Sequence, residues 1–181
     1  PTSMCSSTEA MQIATLSEFT AWNKEQYPNV DGVIAIPHAR GCGCQDGSTI
    51  DILLRTLANY ADHPNVGGVV FIDLGCEKTN MQAMDRFLGR RGGLSWDKPS
   101  AWIGIQEAGG TPAAIEEGLE HVKKMLPIVD QAVREDVPAS ELVLGVKCGS
   151  SDGFSGLSCN PSLGRAADSL VRSGGTVLIT E

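Results

Sequence analysis

The stretch Val69-Val70-Phe71-Ile72-Asp73-Leu74-Gly75-Cys76-Glu77-Lys78 decides how the chain is read. Its first part is apolar, β-branched and aromatic, and too short to make a helix of its own, so it reads as a buried strand. It then breaks into a polar turn opened by a glycine. Four further apolar runs of the same kind lie at residues 33–36, 102–105, 142–146 and 176–179. Between them, apolar residues recur with a period near 3.6 over about residues 7–24, 49–60, 81–88, 112–134 and 162–172, which predicts helices. Strands that alternate with helices across short connections belong in a parallel sheet, because parallel neighbours need a crossover and the crossover is helical. The expectation is an α/β fold, a doubly wound and mostly parallel sheet with helices on both faces, Rossmann-like or flavodoxin-like.

Local signals refine the boundaries. Thr111-Pro112 places a hydroxyl cap just before a proline that suits the first helical turn, and Asn160-Pro161 repeats the device. Pro127 is expected to split the long fourth helix, with a second piece from about residue 128 to 135. Gly89-Arg90-Arg91-Gly92-Gly93 and the polar residues after it read as a surface loop. The 181 residues suit one core, so a single α/β domain over 1–181 is expected. It reads as cut from a longer parent at both ends, since it opens on a strand-to-helix loop and stops on a strand.

Composition excludes several classes. With 41% hydrophobic and 20% charged residues the chain is globular rather than disordered. A net charge of −8 disfavours nucleic acid and anionic lipid as partners, leaving a small molecule. No apolar stretch approaches the roughly 20 residues a bilayer helix needs, and no signal-like segment opens the chain, so a cytoplasmic location is expected. Six cysteines, Cys5, Cys42, Cys44, Cys76, Cys148 and Cys159, leave open disulfides, a structural zinc site, or reactive and metal-binding thiols. No C-x-x-C pair of the zinc-ribbon kind occurs.

The polar motifs follow the strands. Thr2-Ser3-Met4-Cys5-Ser6-Ser7 opens the chain; Pro37-His38-Ala39-Arg40-Gly41-Cys42-Gly43-Cys44, Gly75-Cys76-Glu77-Lys78, Gln106-Glu107-Ala108-Gly109-Gly110-Thr111 and Cys148-Gly149-Ser150-Ser151-Asp152-Gly153 each come after a predicted strand. In a parallel sheet these turns share one edge, where open α/β folds bind ligands. Thiols, an imidazole, carboxylates and glycine-rich helix starts suit an anionic substrate and a metal. His38 with Cys42 is the best ligand pair by type. Glu77, Asp152 and Glu181 could complete a coordination sphere or act as acid and base, although Asp152 equally suits a turn cap. His63 and His121 read as ordinary surface histidines.

These motifs resemble the galactarate/altronate dehydratase family of sugar-acid dehydratases. The resemblance runs through Asp31-Gly32-Val33 and His38-Ala39-Arg40-Gly41-Cys42-Gly43, then His63-Pro64-Asn65-Val66-Gly67-Gly68, the Cys76 and Gln106 turns, and Pro138-Ala139-Ser140-Glu141-Leu142-Val143-Leu144-Gly145. Its most specific part is Cys148-Gly149-Ser150-Ser151-Asp152-Gly153-Phe154-Ser155-Gly156 with Asn160-Pro161. One departure is Ser150, where the family pattern has glycine; Cys44 and Cys159 lie outside the pattern.

The resemblance implies removal of water from an aldonic or aldaric acid to give a 2-keto-3-deoxy acid, assisted by a divalent metal, Fe2+ first and Mn2+ second. It also implies a central segment of a longer parent; that segment is expected to be inactive or nearly so by itself, and a homodimer is one assembly open to the parent, whose oligomeric state the sequence does not give. The metal ligands expected on this basis are His38, Cys42, Cys76 and Cys148. His38, Asp152 and Glu77 are the expected catalytic groups, and Ser6, Ser7, Gln106, Gly110, Thr111 and Ser151 the substrate-binding ones. A related branch eliminates sulfite from sulfolactate. A non-catalytic flavodoxin-like module and an iron–sulfur redox protein are the competing classes.

Overall fold

The computed structural model describes residues 1–88, 97–150 and 152–180, so most of the expected glycine-arginine loop, Ser151 and Glu181 lie outside the described residues. The chain divides into two compact units, Pro1–Val133 and Arg134–Glu181. It is a mixed α/β structure with small parallel sheets and helices.

Unit 1 is built on two parallel strands, β1 (Val69–Asp73) and β2 (Ser100–Gly104), in the register Val69 to Ser100 through Asp73 to Gly104. Its helices are α1 (Ser7–Thr20), α2 (Ser48–Ala61), α3 (Met81–Asp85), α4 (Ile105–Ala108) and α5 (Thr111–Val129). Because side chains alternate along a strand, the pair carries a core on each face. Ile72 and Ile103 pack with Ala10 and Ile13 of α1 and with Ala114, Val122 and Leu126 of α5. Phe71 packs on the other face with Ile50, Leu54, Leu57 and Ala58 of α2 and Met84 of α3. There Phe71 and Trp102 stack with ring centroids 5.1 Å apart.

Unit 2 contains β3 (Val143–Lys147), α6 (Asn160–Arg172) and β4 (Thr176–Thr180). β3 and β4 run parallel, in the register Val143 to Thr176 through Lys147 to Thr180. A π-helical turn, Ser155–Cys159, leads into α6.

Parallel pairing and helical cover agree with the sequence, but the described strands form two pairs and not one continuous sheet. The run at 33–36 is neither helix nor strand. Val33 and Ala35 pack against the core while Ile34 is 77% exposed, so its alternation records one-sided burial without a ladder. α1 stops at Thr20 and not near residue 24, because Asn23 accepts the Gln26 N–H at 2.7 Å and holds a turn there. α5 runs through Pro127, which falls in its last turn, and ends at Val129; the missing N–H weakens a helix already ending, and residues 132–138 take no regular structure. α3 ends at Asp85, short of the expected 88.

The expected caps also differ. Gly110 caps α5, and Thr111 and Pro112 lie inside it; Cys159 precedes α6, and Asn160 makes no capping bond because the π-helical turn already supplies a helical lead-in. Among the described residues no helix is long and apolar enough to cross a membrane.

Candidate active site

Beyond the C-terminal end of β1 the opening segment of the chain is stapled across the strand. Thr2 donates its N–H to the Ile72 carbonyl at 2.9 Å, and Ser6 donates its hydroxyl to the same oxygen at 2.7 Å. Thr79 donates to the Thr2 carbonyl at 2.6 Å. On its other side the segment meets the His38 loop, where the Met4 N–H bonds the Arg40 carbonyl at 2.7 Å and Ser7 Oγ bonds the His38 carbonyl at 3.3 Å. Three motifs distant in sequence thus meet at one edge of unit 1.

Glu77 anchors that edge. Its Oε2 accepts the Gly75 N–H at 2.8 Å, both carboxylate oxygens lie 3.0 Å from the Leu74 N–H, and Thr2 Oγ1 lies 3.0 Å from Oε1. Burial alone would raise its pKa, but the backbone N–H groups and the Thr2 hydroxyl outweigh it and hold the carboxyl below its ordinary value. A carboxylate so fully donated to is committed to shaping the turn. Gly75 is required there: its φ is +116°, and a Cβ would lie 2.8 Å from Gln106 Oε1. Gln106 joins the turns by donating its N–H to the Leu74 carbonyl at 3.2 Å.

Asp73, the last residue of β1, is buried and accepts from Trp102 Nε1. Burial raises its pKa; the Trp102 hydrogen bond opposes this, and the Glu77 and Glu107 charges add to it.

The half-buried His38 accepts the Arg40 N–H on Nδ1 at 3.2 Å. In the neutral ring the proton therefore sits on Nε2. Nε2 is buried and meets no acceptor in strict hydrogen-bond geometry among the described residues; burial and the N-terminal charge lower the pKa of the ring, and the Pro1 and Thr2 backbone beside it opposes them. As oriented, His38 presents a proton, not a lone pair.

That orientation bears on the expected metal. A ligating histidine needs a bare nitrogen toward the metal and normally donates from the other, the reverse of this arrangement. Among the described residues of each unit, no three His, Cys, Asp or Glu side chains gather into a group able to hold an ion. Cys42 and Cys76 are exposed thiols of unit 1, and none of the six cysteines forms a disulfide. The donors of unit 1, as they lie, do not make a metal site.

The remaining expected residues fall as follows. Ser6 is buried with its hydroxyl spent on Ile72, and Ser7 is bonded to the His38 loop. The Gly110 N–H bonds the Ile105 carbonyl at 2.8 Å, and Thr111 donates its hydroxyl to Glu9 Oε1 at 2.7 Å. Cys148 and Asp152 belong to unit 2. Asp152 Oδ1 accepts the Ser155 N–H at 2.7 Å while Ser155 Oγ donates to the Asp152 carbonyl at 2.7 Å, the geometry of a helix start. The rings of His63 and His121 make local contacts: His63 Nδ1 accepts the Asn65 N–H, and His121 lies 3.6 Å from Glu117, while the His63 carbonyl accepts from Lys98 Nζ at 2.6 Å.

Sequence reasoning missed Glu9 and Ser3. Both are buried, and Glu9 Oε2 and Ser3 Oγ have no hydrogen-bond partner among the described residues. A signal for Glu9 existed: Glu9, Ala10, Ile13 and Ser17 form the buried face of α1 at helical spacing, continued by Ser6 just before it, and a carboxylate in such a stripe is unusual.

At this strand edge of a mixed α/β unit, buried hydroxyls, carboxylates and an imidazole come together from separate loops. The comparisons give its kinship. Residues 1–130 match the family described as D-galactarate dehydratase/Altronate hydrolase, second domain, and residues 139–181 match D-galactarate/Altronate dehydratase, C-terminal. The chain belongs to the galactarate/altronate dehydratase family.

It is 36% identical over 151 residues to the altronate dehydratase of Bacillus subtilis (strain 168), covering 83% of this chain and 29% of that protein. The altronate dehydratase of Escherichia coli (strain K12) is 36% identical over 152 residues, again 83% of this chain and 29% of the relative. The galactarate dehydratase (L-threo-forming) of Escherichia coli (strain K12) is 38% identical over 131 residues, 71% of this chain and 25% of the relative. The chain thus spans under a third of the length of these relatives. No solved structure matches it.

Proposed function

We propose that this chain supplies part of the active site of a cytoplasmic sugar-acid dehydratase, which removes water from an aldonic or aldaric acid such as altronate or galactarate. The observation that carries the reading is the family match across both units, with altronate and galactarate dehydratases among the relatives.

In such a reaction a base takes the proton from C2, and the C–H electron pair becomes the C2–C3 π bond. The C3 hydroxyl leaves with its electron pair and needs a proton to depart as water. The resulting enol then becomes the 2-keto-3-deoxy acid. Among the groups at the strand edge, His38 is the candidate acid for the leaving hydroxyl, because its neutral ring carries the proton on Nε2. The edge as a whole is held in place by Glu77, Thr2 and Ser6.

A divalent metal, Fe2+ before Mn2+, stays part of the proposal for the parent, although His38, Cys42 and Cys76 of unit 1 do not make its site as they lie. It would stabilise the negative charge that develops on the substrate carboxylate. The His38 orientation disagrees with a ligand role for that residue, so no step is routed through a metal.

The test is to assay the full-length parent anaerobically against a panel of aldonic and aldaric acids, with and without ferrous iron, reading 2-keto product. Turnover of at least one acid is expected, and a roughly 100-fold or greater loss in kcat for His38→Gln. A parent that dehydrates none of the panel overturns the reading. Equal iron content in wild type and His38→Ala would remove His38 from the donor set.

A further inference from the structure

Glu9 is 6% exposed, its Oε2 is buried without a partner among the described residues, and its Oε1 accepts the Thr111 hydroxyl at 2.7 Å across 102 residues of sequence. A buried carboxylate oxygen without a donor costs stability. Thr111 is the first residue of the 19-residue helix α5, and it is exposed. Two consequences follow from the pair.

First, a carboxylate only accepts hydrogen bonds, so Thr111 is the donor and its single hydroxyl hydrogen is spent on Glu9. What Thr111 Oγ1 offers outward is lone pairs alone. Second, Glu9 already places negative charge at the start of α5, the position that a bound anion would otherwise take. A substrate carboxylate at this point would meet an acceptor and a like charge. A substrate hydroxyl would meet a fixed acceptor.

We infer that Glu9 is a positioning residue that locks Thr111 as a hydrogen-bond acceptor, so that the start of α5 receives a hydroxyl of the substrate and not its carboxylate. This rests on the dehydratase reading and deepens it by orienting the substrate: the carboxylate lies away from α5, and the hydroxylated part of the chain lies against it.

The experiment uses the full-length parent and its best sugar acid, beside an analogue lacking one hydroxyl distant from the reacting carbons. Thr111→Val is expected to lower kcat/KM for the full substrate about tenfold, mostly through KM, and to leave the analogue little changed. Thr111→Ser, which keeps the hydroxyl, recovers most of that loss. Glu9→Gln, whose amide can donate into the Thr111 oxygen and occupy it, raises KM for the full substrate more than for the analogue. Melting temperatures taken on the same samples separate folding losses from binding losses.

A Thr111→Val enzyme with unchanged kcat/KM overturns the subsite while leaving the dehydratase reading standing. Equal losses on both substrates for Glu9→Gln overturn it too, because they assign Glu9 to structure alone. A parent inactive on every sugar acid overturns the dehydratase reading and this inference with it.

Discussion

Units 1 and 2 carry the same local pattern, two parallel strands joined through a helix, and bury it to different degrees. In β1 the residues Phe71, Ile72 and Asp73 are buried, and helices cover both faces of the β1–β2 pair. In unit 2 no residue of β3, α6 or β4 is buried, and Val143, Leu178 and Ile179 are 63%, 53% and 86% exposed. A β-branched run, a polar turn and an amphipathic helix are enough to form a strand crossover. Covering it takes further helices from elsewhere in the chain, and α1, α2 and α5 do this for unit 1.

Hydrogen exchange offers the widest test of that contrast. Opening free energies across a protein run from near zero up to the global stability, lowest where few apolar contacts are buried. The ladder amides of β1–β2 are expected to be protected about a thousandfold more than those of β3–β4, about 4 kcal/mol. Equal protection would show that the exposed strands are held as firmly as the covered ones.

The same contrast explains what was legible in the sequence. Most of the runs at 69–74, 102–105, 142–146 and 176–179 became strand because burial or pairing agreed with their composition, while Leu74, Ile105 and Leu142 fall outside the ladders. Residues 33–36 have that composition and the same alternation, yet pairing is a property of the neighbouring backbone, which composition does not encode. The convergence of motifs at the strand edge was legible for Thr2, Ser7, His38 and Glu77. Their division of labour was not: whether a carboxylate is saturated, as Glu77 is, or left with an orphaned oxygen, as Glu9 is, depends on donors supplied from distant segments. His38 shows the same limit, since its tautomer follows from the Arg40 N–H and not from its residue type.

Glu77 provides the next largest effect. Glu77→Gln would set an amide N–H2 against the Leu74 and Gly75 N–H donors, at a cost of roughly 2–3 kcal/mol to unit 1 at neutral pH. The pH dependence has a definite sign. The folded carboxyl lies below its ordinary value of 4.5, so its contribution is complete above that value and is lost as pH falls through the lower folded pKa. Urea midpoints of wild type and variant are therefore expected to lie far apart at neutral pH and to converge in acid below pH 4.5. A gap that stays constant into acid would show that Glu77 acts by packing and not by charge.

The smallest effect should reverse in sign between the units. Ala114, Gly118, Val122 and Leu126 form the buried stripe of α5, and Gly118 marks its close crossing with α1. A Cβ at Gly118 would run into Ile13 Cδ1, with Ile13 Cγ1 at 3.0 Å and Ile103 Cδ1 at 3.5 Å. Ile13 and Ile103 are themselves 4% and 1% exposed, which leaves little room for them to yield. Alanine gains about 1 kcal/mol of helix propensity over glycine, and overpacking a filled core costs about 1–3 kcal/mol, so Gly118→Ala is expected to destabilise by about 1 kcal/mol.

Gly164 of α6 is the matching position in unit 2, where a Cβ meets nothing within 4 Å. With no crowding to oppose it, the propensity gain stands alone, and Gly164→Ala is expected to stabilise by about 0.5–1 kcal/mol. Denaturation curves followed by a probe in each unit decide the matter. Stabilisation by both substitutions would mean that the α1–α5 crossing has slack, and that the covered unit differs from the exposed one in area buried rather than in fit.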